Sequence, residues 1–218
     1  MLEIIWRLRS KVLSDESELR AVIAALAQLP GLNPSRYDLN RKGQWRPYEL
    51  KHIVVDALTQ RTQLLVIQGA NATGGEPGAQ AMIALGKHGE QPTVIAQLPD
   101  GSGVARELVE GWGDLYEALA LESTLLMSGA RRAALDQAGV DAANLGGALA
   151  MAWHPAHIPA GLRTLERACL AATPISLQQY ATHWRLDLGL GPIDAAQLAP
   201  ECAYRGALEA LNRALDGK

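Results

Sequence analysis

Residues 64–86 read LLVIQGANATGGEPGAQAMIALG: an apolar run, a glycine-rich stretch and a second apolar run. Two architectures compete for this pattern. If Gly69–Gly78 cradles phosphate, a helix must follow it and open its N-terminus toward the anion. If the glycines only reverse the chain, a second strand follows and pairs antiparallel with the first. A phosphate loop needs Lys and Ser/Thr directly after its last glycine, the lysine for phosphate and the hydroxyl for magnesium. Gly69 and Gly74 have the spacing, but Gly75 and Glu76 hold those two places. A carboxylate there repels a triphosphate. The following AQAMIAL alternates as a strand does. The expectation is a connection between antiparallel strands at Gln63–Gln68 and Ala79–Gly86.

Outward from this hairpin, the chain groups further strands with helices at their flanks. Thr93–Leu98 is a strand candidate bounded by Pro92 and Pro99, and Leu2–Arg9 alternates Leu2, Ile4, Trp6 and Leu8 with more polar neighbours. Ser14 is the expected cap of a helix carrying Leu19, Val22, Ile23, Leu26 and Leu29, stopped by Pro30-Gly31. A loop through Asn33-Pro34, Tyr37 and Lys42-Gly43 leads to a second helix opened by Pro47, with Leu50, Ile53, Val54, Ala57 and Leu58 as its buried stripe. Further on, the pattern predicts a helix over 104–119, a strand at Leu121–Met127, and helices near 130–138 and 142–152. A last strand at His183–Leu188 and a helix over Pro200–Leu215 complete the chain. Strands grouped together with helices beside them predict an α+β fold. It would have one antiparallel or mixed sheet of about five to six strands, helices packed on it, and one domain spanning 1–218.

The bulk composition narrows the function classes. The 218 residues carry 20 Lys and Arg against 23 Asp and Glu, a formal net charge of −3, and 48% of them are hydrophobic. A dedicated nucleic-acid binder normally has a basic surplus to replace counterions on phosphates. Charged Glu3, Arg7 and Arg9 interrupt the N-terminal apolar run, unlike the core of a secretory signal. The flattest apolar segment, Ala142–Trp153, is too short to cross a membrane. Cys169 and Cys202 form no metal or redox motif.

Candidate chemistry fails motif by motif. Asp100-Gly-Ser-Gly103 lies between a strand and a helix, as a dinucleotide fingerprint would, yet Arg106 fills the third glycine position. His154 and His157 are close in WHPAHIP, but two prolines surround them and no carboxylate or cysteine joins them. No G-x-S-x-G occurs. No catalytic, cofactor-binding or metal-binding residues are therefore assigned. A small-molecule or nucleotide-binding enzyme using 69–78 or 101–103 remains the rival reading.

One pattern stands out. On the predicted helix 104–119, Leu108, Trp112, Leu115 and Leu119 mark a core stripe, and Glu107, Glu110, Asp114 and Glu117 recur at spacings of three, four and three on the other side. Like charges so spaced cost a helix roughly 0.2–0.5 kcal/mol per pair. A solvated face explains such a row, and so does a surface that meets a basic partner, where binding relieves the repulsion.

The order of features resembles a family of bacterial immunity proteins, the immunity protein 52 family. Its members neutralise restriction-endonuclease-fold toxins of polymorphic-toxin and type VI secretion systems. The resemblance is carried by AVIAALAQLPGLNPSRYDLNRKGQWRPYEL, by LLVIQGANATGGEPGAQAMIALG, by TVIAQLP, and later by AMAWHP and HWRLDLGLG. It implies an α+β, non-enzymatic, cytoplasmic protein whose partner is a cognate nuclease toxin, with no cofactor and no direct contact with nucleic acid or membrane. The partner-binding candidates are Glu107, Glu110, Asp114 and Glu117, followed by Asn71 and Glu76 in the glycine-rich segment.

Overall fold

The computed structural model describes residues 1–10, 13–60, 62–70, 78–86, 90–99, 102–140, 143–164 and 175–215. They divide into two compact units, Leu2–Glu122 and Ser123–Lys218 with Met1.

In the first unit, β1 (Leu2–Leu8), β2 (Pro34–Leu39), β3 (Arg46–Pro47), β4 (Leu64–Gly69), β5 (Gln80–Ala84) and β6 (Thr93–Leu98) lie in the order β3-β2-β4-β5-β6-β1. Every pairing among them is antiparallel. The stretch 64–86 is a hairpin: Leu64 faces Ala84 and Gln68 faces Gln80. A strand, not a helix, follows its glycines. Gly69 has a steric duty of its own, because a Cβ there would lie 1.9 Å from the Leu32 carbonyl oxygen. Its N–H donates to the Ala79 carbonyl at 2.8 Å, so the site needs backbone close to backbone, which only glycine allows.

The alternation read from β1 is the alternation of burial. Leu2 and Ile4 are 1% exposed, and Trp6 and Leu8 are fully buried. Each such side chain contributes roughly 1.5–3 kcal/mol by leaving water. Helix α1 (Glu16–Ala27) buries Leu19, Val22, Ile23 and Leu26 as expected. Its cap is Asp15 rather than Ser14, since the Asp15 carboxylate accepts the Glu18 N–H at 2.9 Å. The segment expected as a loop after Asn33 is instead the β2–β3 hairpin, with Arg36 facing Pro47. Pro47 does not open the second helix. It has no N–H to donate and sits in the outermost strand of this unit, where none is needed. Helix α2 starts later, at Leu50–Thr59, and buries Ile53, Val54 and Ala57. The predicted helix 104–119 is present as two pieces, α3 (Ser102–Glu110) and α4 (Trp112–Ala118).

In the second unit, β7 (Leu121–Ser128), β8 (Ala148–Trp153), β9 (Ser176–Gln179) and β10 (Trp184–Asp187) lie in the order β7-β8-β10-β9, again antiparallel. Helices α5 (Gly129–Gln137), α6 (Ala160–Thr164) and α7 (Ala203–Leu215) accompany them. The helix expected over 142–152 is absent; β8 occupies its second half, and all six residues of that strand are buried. Alanine favours helix when exposure decides. Between β7 and β10, however, Ala148, Ala150 and Ala152 share one face and Leu149, Met151 and Trp153 the other, all of them buried, and a strand buried on both faces shows no apolar–polar alternation. Gly146 and Gly147 enforce the change, with φ of 53° and 88°. A Cβ on Gly147 would also stand 2.7 Å from the Arg132 Cβ. The core of this unit gathers Leu135, Leu145, Met151, Leu186, Leu208 and Leu211.

The α+β expectation thus holds, with ten strands rather than five to six. The additional four are β2 and β3 in the supposed loop, β8 in the alanine-rich run, and β9, which carries little apolar pattern of its own.

Candidate partner-binding surface on α3 and α4

Gly111 separates α3 from α4 without ending the helical path. Its N–H donates to the Glu107 carbonyl at 3.1 Å, and its carbonyl accepts the Leu115 N–H at 3.1 Å. The periodicity therefore persists across the break. Leu108, Trp112 and Leu119 are buried, and Leu115 is half-buried. Ala105, Val109 and Tyr116 are buried as well, so the packed face is wider than the expected stripe.

Glu107, Glu110, Asp114 and Glu117 are all exposed. Arg106 is the sole basic residue between 102 and 119. Among the described residues, no ion pair or hydrogen bond engages any of the four carboxylates. The structure thus brings these four together on one surface. Asn71 and Glu76, the other two sequence candidates, lie outside the described residues.

Next to this row is an open recess of about 390 Å³, lined wholly by residues of the first unit. Its floor is Ile4 and Trp6 of β1; one wall is the end of α1, from Ala25 to Pro30; the other is α3–α4. Glu107 and Asp114 belong to its lining, as do Gly111 and Trp112. Trp6 is fully buried and Trp112 is 1% exposed, yet neither indole N–H finds an acceptor. Such orphaned donors are uncommon in folded proteins, because each forfeits roughly 1–3 kcal/mol of hydration. Sequence reading found the carboxylates but not the cavity. The floor comes from a strand about a hundred residues away, and no local pattern marks that meeting.

A second exposed feature joins the segment expected as a loop to the second helix. Trp45 is 40% and Val55 47% exposed, and the Arg36 guanidinium sits 4.7 Å from the Trp45 ring centroid. Beside them, Asp56 accepts the Tyr37 hydroxyl at 2.6 Å and pairs with Arg46. These two partners, Tyr37 first, hold the Asp56 carboxyl below its ordinary range. The signal available was the sequence QWRP, an aromatic among polar and basic residues.

Other candidates are ordinary turns. His154 and His157 close a turn through the His157 N–H and the His154 carbonyl, at 2.8 Å. Among the described residues no three His, Cys, Asp or Glu side chains are placed to hold a metal ion. No described helix is long and apolar enough to cross a membrane.

Antiparallel strands in a ten-stranded sheet, with helices between them in the chain, define an α+β protein whose fold is shared with a bacterial secretion-system protein. That neighbour is the Pseudomonas aeruginosa T6SS protein PA0821, matched at a TM-score of 0.58 over 99% of this chain and 72% of that one, with 12% sequence identity. No protein-family model matches the chain, and no curated protein matches it in sequence.

Proposed function

We propose that this chain is an immunity protein that binds and neutralises a cognate nuclease toxin delivered by a type VI secretion system. The observation that carries the reading is the exposed, unpaired row Glu107–Glu110–Asp114–Glu117. The shared fold with a T6SS protein supports the setting. A nuclease grips the phosphodiester backbone through basic residues, so an acidic surface can occupy those residues in place of the substrate. On this reading the protein acts in the cytoplasm by occlusion and catalyses nothing. The immunity protein 52 resemblance supplies the toxin class, restriction-endonuclease-like.

The rival, a nucleotide binder, loses its main motif, since Gly69 is accounted for by its close approach to Leu32.

Two measurements test the proposal. Tagged chain expressed in its source bacterium should retain a nuclease, identified by mass spectrometry of the bound fraction. Reversal of the four carboxylates to lysine should slow association with that nuclease at least tenfold at low salt, with a weaker effect at high salt. Retention of a metabolic enzyme instead, or an unchanged salt dependence in calorimetry, would overturn it.

A further inference from the structure

The strands of the first unit present two unlike faces. One holds the cross-strand row Tyr37–Ile67–Ala81–Ala96–Ile4, and the helices gather on it. The recess joins Ile4 and Trp6 to α1 and α3–α4, and the Tyr37 hydroxyl reaches Asp56 of α2. No described helix of this unit lies on the opposite face. One row there reads Arg36–Gln68–Gln80–Gln97–Glu3. Arg36 donates to Gln68 at 2.8 Å and Gln80 to Gln97 at 2.7 Å. Two residues along each strand, the next row is apolar: Val66–Met82–Ile95–Ile5. Met82, Ile95 and Ile5 are half-buried. This stripe crosses four strands, about 14 Å.

Three cations border the stripe. Arg36 stands in the row on one side, and Arg7, facing Thr93, in the row on the other. Arg41 reaches over the stripe, its guanidinium 2.8 Å from the Met82 sulfur. No described carboxylate pairs with any of them. Glu3 is the opposing charge, since Asp38 is 3% exposed and accepts the Gly43 N–H at 2.9 Å. The face is therefore basic, in a chain of net charge −3.

Arg41 holds its place at a conformational cost. The Lys42 N–H closes a turn to the Leu39 carbonyl at 3.4 Å, with φ of 57° at Asn40 and 53° at Arg41. Such a turn favours Asn-Gly. Asn40 suits it, and its side-chain oxygen accepts the Gln63 and Leu64 N–H groups. At the next position a side chain is strained where glycine is not. Strain at an exposed cation points to a use outside the fold.

The chemistry of the face selects its occupant. Single-stranded nucleic acid needs aromatic rings on the central strands to stack its bases. Here the stripe is aliphatic, and the exposed Trp45 ring lies at the margin against Arg36. A second copy, docked about a two-fold axis through Met82, would bring Arg41 against Arg41. An amphipathic helix with acidic flanks fits: about nine residues cover the stripe at 1.5 Å each, and its carboxylates reach the arginine rows about 7 Å to either side. We propose that this open sheet face docks an acidic amphipathic helix of a protein partner. The surface is separate from the acidic row on α3–α4 and does not require the partner to be a nuclease.

The probe is a synthetic helix of leucine and glutamate about four turns long, with its leucines at helical spacing. It is titrated into the chain while isoleucine and methionine methyl resonances are followed by NMR. Shifts are expected at Ile5, Met82 and Ile95, with a dissociation constant on the order of 0.1–1 mM, while Ile4 and Ile83 on the other face stay unmoved. A scrambled peptide of the same composition, and a leucine–lysine helix, should bind at least tenfold more weakly. Arg41→Gly should weaken binding at least threefold and leave the thermal midpoint unchanged or higher, where an arginine serving the fold would lower it. Ile95→Glu, the second variant, should abolish binding.

No shift, equal shifts with the scrambled or lysine peptide, or binding unchanged in either folded variant would overturn the proposal. Oligouridylate producing the same shifts would overturn it too, and make the face a nucleic-acid surface. The titration uses the chain alone, so its failure leaves the immunity reading standing, and capture of a partner other than a nuclease leaves this surface standing.

Discussion

The two units handle charge in opposite ways. In the second, Arg131 is 4% exposed and has turned its guanidinium inward. It donates to the Leu188 carbonyl at 2.6 Å, to the Gly189 carbonyl at 2.8 Å and to the Tyr204 hydroxyl. Tyr204 in turn donates to the Leu188 carbonyl at 2.7 Å. Burial draws the Arg131 pKa below its ordinary value, opposed by Tyr204. In the first unit, four carboxylates on α3–α4 point outward with no described partner. A buried charge needs its hydrogen bonds supplied from within the fold. An unpaired exposed row tolerates its own repulsion and leaves its charge available to something else. The first unit leaves these charges at its surface, and the second spends its buried charge on holding its own shape.

This contrast breaks most visibly at Arg131. Arg131→Leu leaves the Gly189 carbonyl without its donor and the Leu188 carbonyl with the Tyr204 hydroxyl alone, at roughly 1–3 kcal/mol for the group left unpaired. A loss of up to about 3 kcal/mol in urea unfolding is expected, seen as a lower midpoint. An unchanged midpoint would make the buried arginine energetically neutral and remove half of the contrast.

The next effect is a pH dependence within the same unit. His183 is 2% exposed and stacks on Tyr180 with ring centroids 4.7 Å apart. Burial first, and the Arg185 charge second, lower its pKa from 6.5 to about 4. The folded state therefore keeps this imidazole neutral where the unfolded chain protonates it. Stability is full above pH 6.5, declines as pH falls from 6.5 to about 4, and levels off below. The total is at most about 3 kcal/mol, by linkage at 1.36 kcal/mol per pKa unit. Thermal melts of His183→Gln should lack this slope; a parallel slope in the variant would locate the titration elsewhere.

The smallest effect lies on the acidic row. Glu110→Gln with Glu117→Gln removes all three like-charge pairs at three- and four-residue spacing. It should stabilise the first unit by about 1 kcal/mol at low ionic strength, and by nothing measurable in molar salt. A destabilised double variant would mean that these carboxylates serve the fold, and the outward reading of the row would fall.

Much of the first unit was legible because its strands are buried on one face, so that Leu2, Ile4, Trp6 and Leu8 announce themselves by alternation. β8 was not, because burial on both faces removes the alternation that distinguishes a strand from a helix. Its alanines then point the wrong way, and only Gly146-Gly147 hinted at a break. β2 and β3 were hidden by Pro34 and Pro47, which mark loops locally but are accepted at strand starts and sheet edges. At the candidate site, the 3-4-3 spacing of carboxylates needs only helical geometry and could be read directly. The cavity needs Trp6, the end of α1 and Gly111 to converge, a tertiary fact that no window of sequence contains.

That convergence constrains how the surface can diversify. Trp6 is at once the floor of the cavity and a central packing residue of β1, so mutation cannot deepen the cavity without loosening the strand. The walls carry no such restriction: Ala25, Gly111 and Ala118 are small, and at Gly111 both backbone and space admit larger residues. Substitution can therefore reshape this recess from its sides, one side chain at a time, while its base stays fixed.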